Sequence, residues 1–220
     1  MTAKEPWNLL IEGAATLGIS LTPDQMKAFE LYLKALNLWR KKINLTSRKD
    51  DREIILKDFL DSLTLLKYLP QETSVLDLGS GAGFPGIPLG IVRTGLKVVL
   101  LEATRKKFFF LKEVLRISKL SEVKVRWTGE DKGIEDLSAS FDFVVSRAFG
   151  SLLAFASEGI GFLKEGGILL AMKGKRGPEE LEKSLTSLKD MGLELNILEA
   201  IQLPYLRHER NLIGLKKIMS

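Results

Sequence analysis

The sequence predicts an α/β fold, a mostly parallel seven-stranded sheet closed by an antiparallel C-terminal hairpin and preceded by a helical extension. Three observations lead there. Apolar residues recur at helical spacing through most of the first seventy positions. From Ser74 onward, short apolar runs alternate with helical stretches, the pattern of βαβ units around a parallel sheet. The last two strand-like runs are joined by a link too short for a crossover helix, so they must be antiparallel neighbours.

The segment from Met1 to Leu10 carries Lys4 and Glu5 and only a short apolar run, unlike a signal peptide. Thr22-Pro23-Asp24-Gln25 reads as a helix start, with Thr22 as N-cap, Pro23 in the first turn and Gln25 closing a capping box. Phe29, Leu33, Leu36 and Trp39 then share one face, ahead of the basic cluster Arg40-Lys41-Lys42. After turn formers in Ile43-Asn44-Leu45-Thr46-Ser47, a second helix is expected from about Asp51 to Tyr68, burying Ile54, Ile55, Phe59, Leu63 and Leu66.

Strands are expected at Val75–Leu78, Lys97–Leu101, Val123–Trp127, Phe141–Ser146 and Gly167–Lys173. Helices are expected at Pro85–Arg93, Arg105–Ser118, Leu152–Leu163 and Pro178–Met191. Leu193–Leu203 and Asn211–Ile218 form the closing pair around Pro204–Arg210. Residues 1–70 are thus expected to form the helical extension and residues 71–220 the sheet domain.

Composition narrows the chemistry. The chain has no cysteine, which excludes disulfides, thiolate zinc sites and a cysteine nucleophile. Its one histidine, His208, excludes a multi-histidine metal site, and no metal is expected. No run approaches the ~18 apolar residues of a membrane span, so a soluble cytoplasmic protein is expected. The net charge of +5 suits a nucleic-acid partner as well as it suits a plain lysine-rich surface.

Val75-Leu76-Asp77-Leu78-Gly79-Ser80-Gly81-Ala82-Gly83 runs a strand directly into a glycine-rich turn. Glycines let the chain turn sharply and let a ligand approach the main chain without meeting a Cβ. A Walker loop is excluded because no Lys-Ser or Lys-Thr follows. A dinucleotide site stays open on pattern alone, since residues 81–86 match G-x-G-x-x-G and Glu102 lies where a ribose-binding acid would. Three details favour S-adenosylmethionine. Asp77, Gly79, Gly81 and Gly83 give the Asp-x-Gly-x-Gly-x-Gly form typical of that cofactor. The helix start tolerates Phe84, Pro85 and Pro88, as a ligand without pyrophosphate allows. The closing hairpin resembles the Rossmann-like sheet of class I methyltransferases. Glu102, at the carboxyl edge of the sheet, has the chemistry to hold both ribose hydroxyls or to cap the helix at Arg105.

Several segments together closely resemble the ribosomal RNA small-subunit methyltransferase G family. They are Ile43-Asn44-Leu45-Thr46-Ser47, Asp61-Ser62-Leu63, the run from Gly79 to Leu89, Ser146-Arg147-Ala148-Phe149, Leu170-Ala171-Met172-Lys173-Gly174 and Glu209-Arg210-Asn211-Leu212. The resemblance covers the chain from about Leu31 to its end. It implies S-adenosylmethionine as cofactor and methylation of N7 of a guanine in the decoding-centre loop of 16S rRNA. The expected partner is that RNA or a small-subunit assembly intermediate, and the protein is expected to be a monomer. The resemblance also implies cofactor contacts at Gly79, Phe84, Arg147 and the pair Asp131-Lys132, where the family more often has Ala-Glu. A further departure is Asp58, where the family usually has a histidine.

The residues fit that chemistry. N7 of guanine offers a lone pair and no proton, and a sulfonium is an activated donor, so in-line displacement needs no general base. None is nominated. Exocyclic amine methylation usually carries Asp/Asn-Pro-Pro-Tyr after the fourth strand, whereas this chain has Ser146-Arg147-Ala148-Phe149 there. Candidates for positioning the substrate are Arg147, Lys173 and Arg210, and the cationic groups on the cofactor's rim of the sheet are Arg105-Lys106-Lys107, Arg147 with Phe149, Lys173-Gly174-Lys175-Arg176 and Arg207-His208-Glu209-Arg210. Phe149 is a candidate to stack on an unstacked base, or else a buried residue. Arg147 has a competing reading as an ion-pair partner of Asp142 or Glu130. Methylation of another RNA or of a non-RNA substrate is the alternative function.

Overall fold

The computed structural model describes residues 5–48, 50–129, 134–203, 205 and 209–218. Seven strands form one sheet in the order β3-β2-β1-β4-β5-β7-β6. They are β1 (Ser74–Leu78), β2 (Lys97–Glu102), β3 (Val123–Trp127), β4 (Phe141–Arg147), β5 (Leu163–Lys173), β6 (Leu193–Gln202) and β7 (Glu209–Lys217). The first five run parallel, and β7 inserts antiparallel between β5 and β6. Because β7 is reversed, its first residues lie level with the end of β5, where Lys173 pairs with Asn211. The carboxyl ends of β1 to β5 and the start of β7 therefore share one rim.

Both faces of the central strands are buried, as a covered parallel sheet requires. Val75, Val98, Leu100, Phe143 and Val145 point to one side, while Leu76, Leu78, Leu101 and Val144 point to the other. The first side is covered by α5 (Gly86–Val92), α6 (Arg105–Ser118) and the helices of the N-terminal extension. The second is covered by α7 (Leu152–Gly159) and α8 (Gly177–Asp190).

The extension begins with α1 (Glu5–Thr16) and α2 (Pro23–Trp39). The capping box forms as the sequence indicates. Thr22 Oγ1 accepts from the Gln25 N–H at 3.2 Å, and Gln25 Oε1 accepts from the Thr22 N–H at 2.9 Å. The helix expected from Asp51 to Tyr68 is less regular than its apolar periodicity suggests. It passes from α3 (Asp51–Ile54) through a π-helical segment (Ile55–Leu60) to α4 (Asp61–Leu63) and a 3₁₀ turn (Thr64–Lys67). Tertiary contacts go with the irregularity. The Lys57 carbonyl accepts from Arg147 Nη1 at 2.9 Å, and the Asp58 carbonyl accepts from Ser62 Oγ at 2.6 Å. Side chains thus serve carbonyls where the regular ladder is interrupted.

A second difference lies before β5. The helix expected to reach Leu163 ends at Gly159, followed by a 3₁₀ turn at Ile160–Phe162. Leu163 instead pairs with Phe141, and the register slips before Phe143 meets Ile168.

Candidate functional site

The rim is built around the turn that leaves β1. Gly79, Gly81 and Gly83 have φ of +72°, +59° and +96°, values that favour glycine. Two of them also leave no space for a side chain. A Cβ on Gly79 would lie 2.9 Å from the Phe149 ring, and one on Gly83 would lie 2.4 Å from Ile87 and 2.8 Å from the Tyr32 hydroxyl. The N–H groups of Gly79 and Ser80 donate to the Leu101 carbonyl, at 2.9 and 3.1 Å, tying the turn to β2.

Glu102 ends β2 beneath this turn. Its Oε2 accepts from the Gly81 N–H and its Oε1 from the Thr104 N–H, each at 2.7 Å. One carboxylate thus fastens the glycine loop and the start of α6 together. Each oxygen keeps a further acceptor site, the provision that a ribose diol requires.

Asp77 is enclosed behind the loop. Its Oδ2 accepts from the Gly86 N–H at 2.8 Å, while Oδ1 has no hydrogen-bond partner among the described residues. Burial pushes its pKa up to about 7, against the opposing pull of the Gly86 N–H and the Arg147 charge. An unpartnered buried carboxylate oxygen behind an open glycine loop fits a ligand that brings positive charge. S-adenosylmethionine does so, through its sulfonium and its ammonium.

Arg147 closes β4, next to β1 in the sheet. Its guanidinium lies 4.8 Å from the centre of the Phe84 ring. It is also an ion-pair partner, though not of Asp142. Asp142 stands at the other end of β4, where it accepts from Ser74 and Lys164, and Glu130 lies outside the described residues. Arg147 Nη1 meets Asp58 Oδ1 at 2.8 Å and Asp61 Oδ2 at 3.6 Å. Burial works against the charge, yet the two carboxylates hold the guanidinium above its ordinary pKa. Asp58 and Asp61 are 1% and 0% exposed. Arg48 binds Asp58 from Nε and Nη2, each at 3.1 Å to Oδ1. Arg210 grips Asp61 with Nε on Oδ1 at 2.9 Å and Nη2 on Oδ2. Three arginines therefore surround two buried aspartates from the extension. The residue after Arg147, Ala148, has φ +60°, an uncommon value for alanine.

The remaining sequence candidates divide. Lys173 Nζ donates to the Gly150 carbonyl at 2.9 Å and pairs with Glu180 at 3.1 Å. Phe149 leans on Phe155, with centroids 5.9 Å apart, and flanks Gly79. The Phe84 ring is buried among Tyr32, Phe59 and the Arg147 guanidinium. Asp131 and Lys132 lie outside the described residues, as do Arg207 and His208.

Tyr32 is a member of the site that sequence reasoning did not name. Its hydroxyl donates to the Ala82 carbonyl inside the glycine loop, and its ring stacks near Phe59 and Phe84. A hydroxyl on an otherwise apolar stripe was the available signal. Arg48 carried none.

A glycine loop at the end of β1, an acid at the end of β2 and one reversed strand in a seven-stranded sheet define a class I S-adenosylmethionine-dependent methyltransferase. A solved S-adenosylmethionine-dependent methyltransferase from Aquifex aeolicus shares this fold, with a TM-score of 0.58 at 21% identity over 85% of this chain and 98% of that one. So does precorrin-6y C5,15-methyltransferase from Geobacter metallireducens, with a TM-score of 0.53 at 18% identity over 79% of this chain and 91% of that one.

Sequence carries the assignment further. The rRNA small subunit methyltransferase G family matches residues 25–212. The Ribosomal RNA small subunit methyltransferase G of Geotalea uraniireducens is 40% identical over 217 residues, covering 99% of this chain and 98% of the relative. That of Acetivibrio thermocellus is 39% identical over 212 residues, covering 95% and 87%. The chain belongs to the rRNA small subunit methyltransferase G family.

Proposed function

We propose that the protein methylates N7 of a guanine in 16S ribosomal RNA. The observation that carries the reading is Arg147, a planar cation fixed by Asp58 and the Lys57 carbonyl at the end of the strand next to the glycine loop. S-adenosylmethionine, when bound, would supply an activated methyl group on its sulfonium, for in-line transfer to the N7 lone pair with S-adenosylhomocysteine as the leaving group.

The chain's own residues have the tasks of holding and aligning. Gly79, Gly81 and Gly83 leave the main chain open to the cofactor, Glu102 takes the ribose, and Asp77 sets a negative field behind the loop. Asp131 and Lys132 are assigned to the adenine edge by the family resemblance. Phe84 supports Arg147 from below and contributes its backbone to the loop. Arg147, with Lys173 and Arg210 further along the rim, orients the guanine and its phosphates. Alignment of two reactants is worth roughly 7–11 kcal/mol of barrier, so a reaction without proton transfer can rest on it.

Residues 1–70 are read as an extension that braces the methyltransferase domain of residues 71–220. The partner is 16S rRNA or a small-subunit assembly intermediate, met in the cytoplasm by a monomer. No helix among the described residues is long and apolar enough to cross a membrane.

Mapping modified bases in rRNA from a strain lacking the gene, before and after the gene is restored, tests the reading. The expected result is one guanine N7 methylation lost and regained in 16S rRNA. Unchanged 16S rRNA with a change in another RNA would reassign the substrate.

A further inference from the structure

We propose that Phe109, Arg105 and Trp127 form a stacking platform for an unpaired base of the RNA, beside the cofactor crevice and outside it. The proposal rests on the RNA reading above and adds a separate binding site to it. In the run Phe108-Phe109-Phe110, the outer two rings are 8% and 0% exposed, while Phe109 is 46% exposed. The Arg105 guanidinium lies 5.8 Å from the Phe109 centroid and 5.5 Å from that of Trp127. Phe108 sits beneath, 5.5 Å from Phe109 and 6.4 Å from Trp127. The indole N–H of Trp127 donates to the Ala103 carbonyl at 2.9 Å, which fixes that ring. The result is an ordered layer of two rings with a planar cation between them.

The surrounding charge says what the layer fits. Arg105, Lys106, Lys107 and Lys112 fall within the first eight residues of α6, and no acid occurs there before Glu113, which Arg116 takes at 2.8 Å. Cations that meet phosphates, interleaved with π faces that meet bases, are the chemistry of single-stranded nucleic-acid binding. One half-exposed ring among four cations offers too little apolar surface for a stable protein interface, which needs on the order of 1,000 Å². It does match the face of one base. Position agrees as well. Trp127 pairs in register with Glu102 at the rim, and β3 lies three strands from β4. At ~4.8 Å per strand that is roughly 14 Å from Arg147, a span that a few nucleotides can bridge. A base in a duplex is stacked on both sides and has no face to offer, so the occupant must be unpaired.

The test compares the intact protein with Phe109→Ala and Phe109→Trp variants. Each is titrated with a mixed-sequence single-stranded oligoribonucleotide and with a fully paired RNA duplex of equal length. Phe109→Ala is expected to weaken single-strand binding roughly 5- to 150-fold, the range that one base–aromatic stack supplies. The salt dependence should be unchanged because no charge is lost. Duplex affinity and S-adenosylmethionine affinity should also hold, and Phe109→Trp should restore the single strand. Equal single-strand affinity in the alanine variant and the parent protein overturns the platform. Equal loss on single strand and duplex overturns it too. A parent protein that binds the single strand through Phe109 but leaves 16S rRNA unmethylated supports the platform while defeating the functional reading.

Discussion

Asp77→Asn separates what the buried carboxylate costs the fold from what it does for the cofactor. The group titrates near 7 in the folded protein against 3.8 when unperturbed, because burial disfavours its charge. Below about pH 4 both states hold the proton and the group is neutral in its effect on folding. Between about pH 4 and 7 the unfolded chain has released the proton and the folded one has not, so stability falls as pH rises, and above 7 the loss is complete. The difference between 3.8 and about 7 sets its ceiling at about 4 kcal/mol. Asparagine does not titrate and can still offer an oxygen to the Gly86 N–H, so the variant should lack this decline. At pH 8 it should melt higher than the parent, by about 2–4 °C for each kcal/mol recovered in a chain of this length. Its preference for cationic S-adenosylmethionine over neutral S-adenosylhomocysteine should shrink, since the negative field behind the loop is gone. Thermal melts from pH 4 to 9 and calorimetric titration with both ligands measure these effects. An identical pH slope in parent and variant, or an unaltered preference between the two ligands, would refute the reasoning.

Arg147→Lys keeps the charge but loses the planar guanidinium, which lies against the Phe84 ring while its Nη1 serves both Asp58 and the Lys57 carbonyl. Single-turnover methylation should fall more than tenfold, or more than roughly 1.4 kcal/mol, and the melting temperature should fall with it because the ion pair is buried; normal turnover with lower stability would remove Arg147 from the reaction. Tyr32→Phe deletes the hydroxyl that holds the Ala82 carbonyl. It should cost about 1 kcal/mol of stability and weaken S-adenosylmethionine binding several-fold in a calorimetric titration, whereas a purely structural tyrosine would change only the melt. Lys175 and Arg176 are exposed beyond β5; replacing both with alanine should flatten log K against log salt for single-stranded RNA by roughly 1.4 and spare cofactor affinity.

The sheet was legible because period-two and period-3.6 patterns report burial directly, and β3 and α6 fall where the runs of Val123–Trp127 and Arg105–Ser118 place them. The glycine loop and Glu102 were legible for another reason. Backbone conformations near φ +60° and an acid at a strand end restrict residue type locally, so a short window reveals them. The ion cluster was not. Asp58 and Asp61 look like polar interruptions of an apolar helix, and of their partners Arg48, Arg147 and Arg210 the last two come from distant strands that only the folded chain brings near. The π-helical segment was hidden too, because its six residues span little more than one turn, too short for the apolar pattern to tell a ladder closing at five residues from one closing at four. Asp58 could be noted as unusual from sequence, but its role as a partner of Arg147 needed coordinates.

Tyr32, Phe59 and Phe84 draw one wall of the glycine loop from both sides of the junction near residue 70. Across the same junction, Asp58 and Asp61 answer arginines on β4 and β7. Recombination between relatives is therefore tolerated unevenly along the gene. A crossover near that junction would join a tyrosine, two aspartates and a loop with separate histories, and each mismatch would fall on the cofactor wall or on an uncompensated buried charge, the latter costing about 3–5 kcal/mol. Crossovers beyond α8 would part Arg210 on β7 from Asp61 but leave the loop and its supporting tyrosine in one inherited piece. Substitutions at Asp58 should follow the same logic and travel with changes at Arg48 or Arg147, so that the N-terminal helices and the reaction rim evolve as a single unit of inheritance.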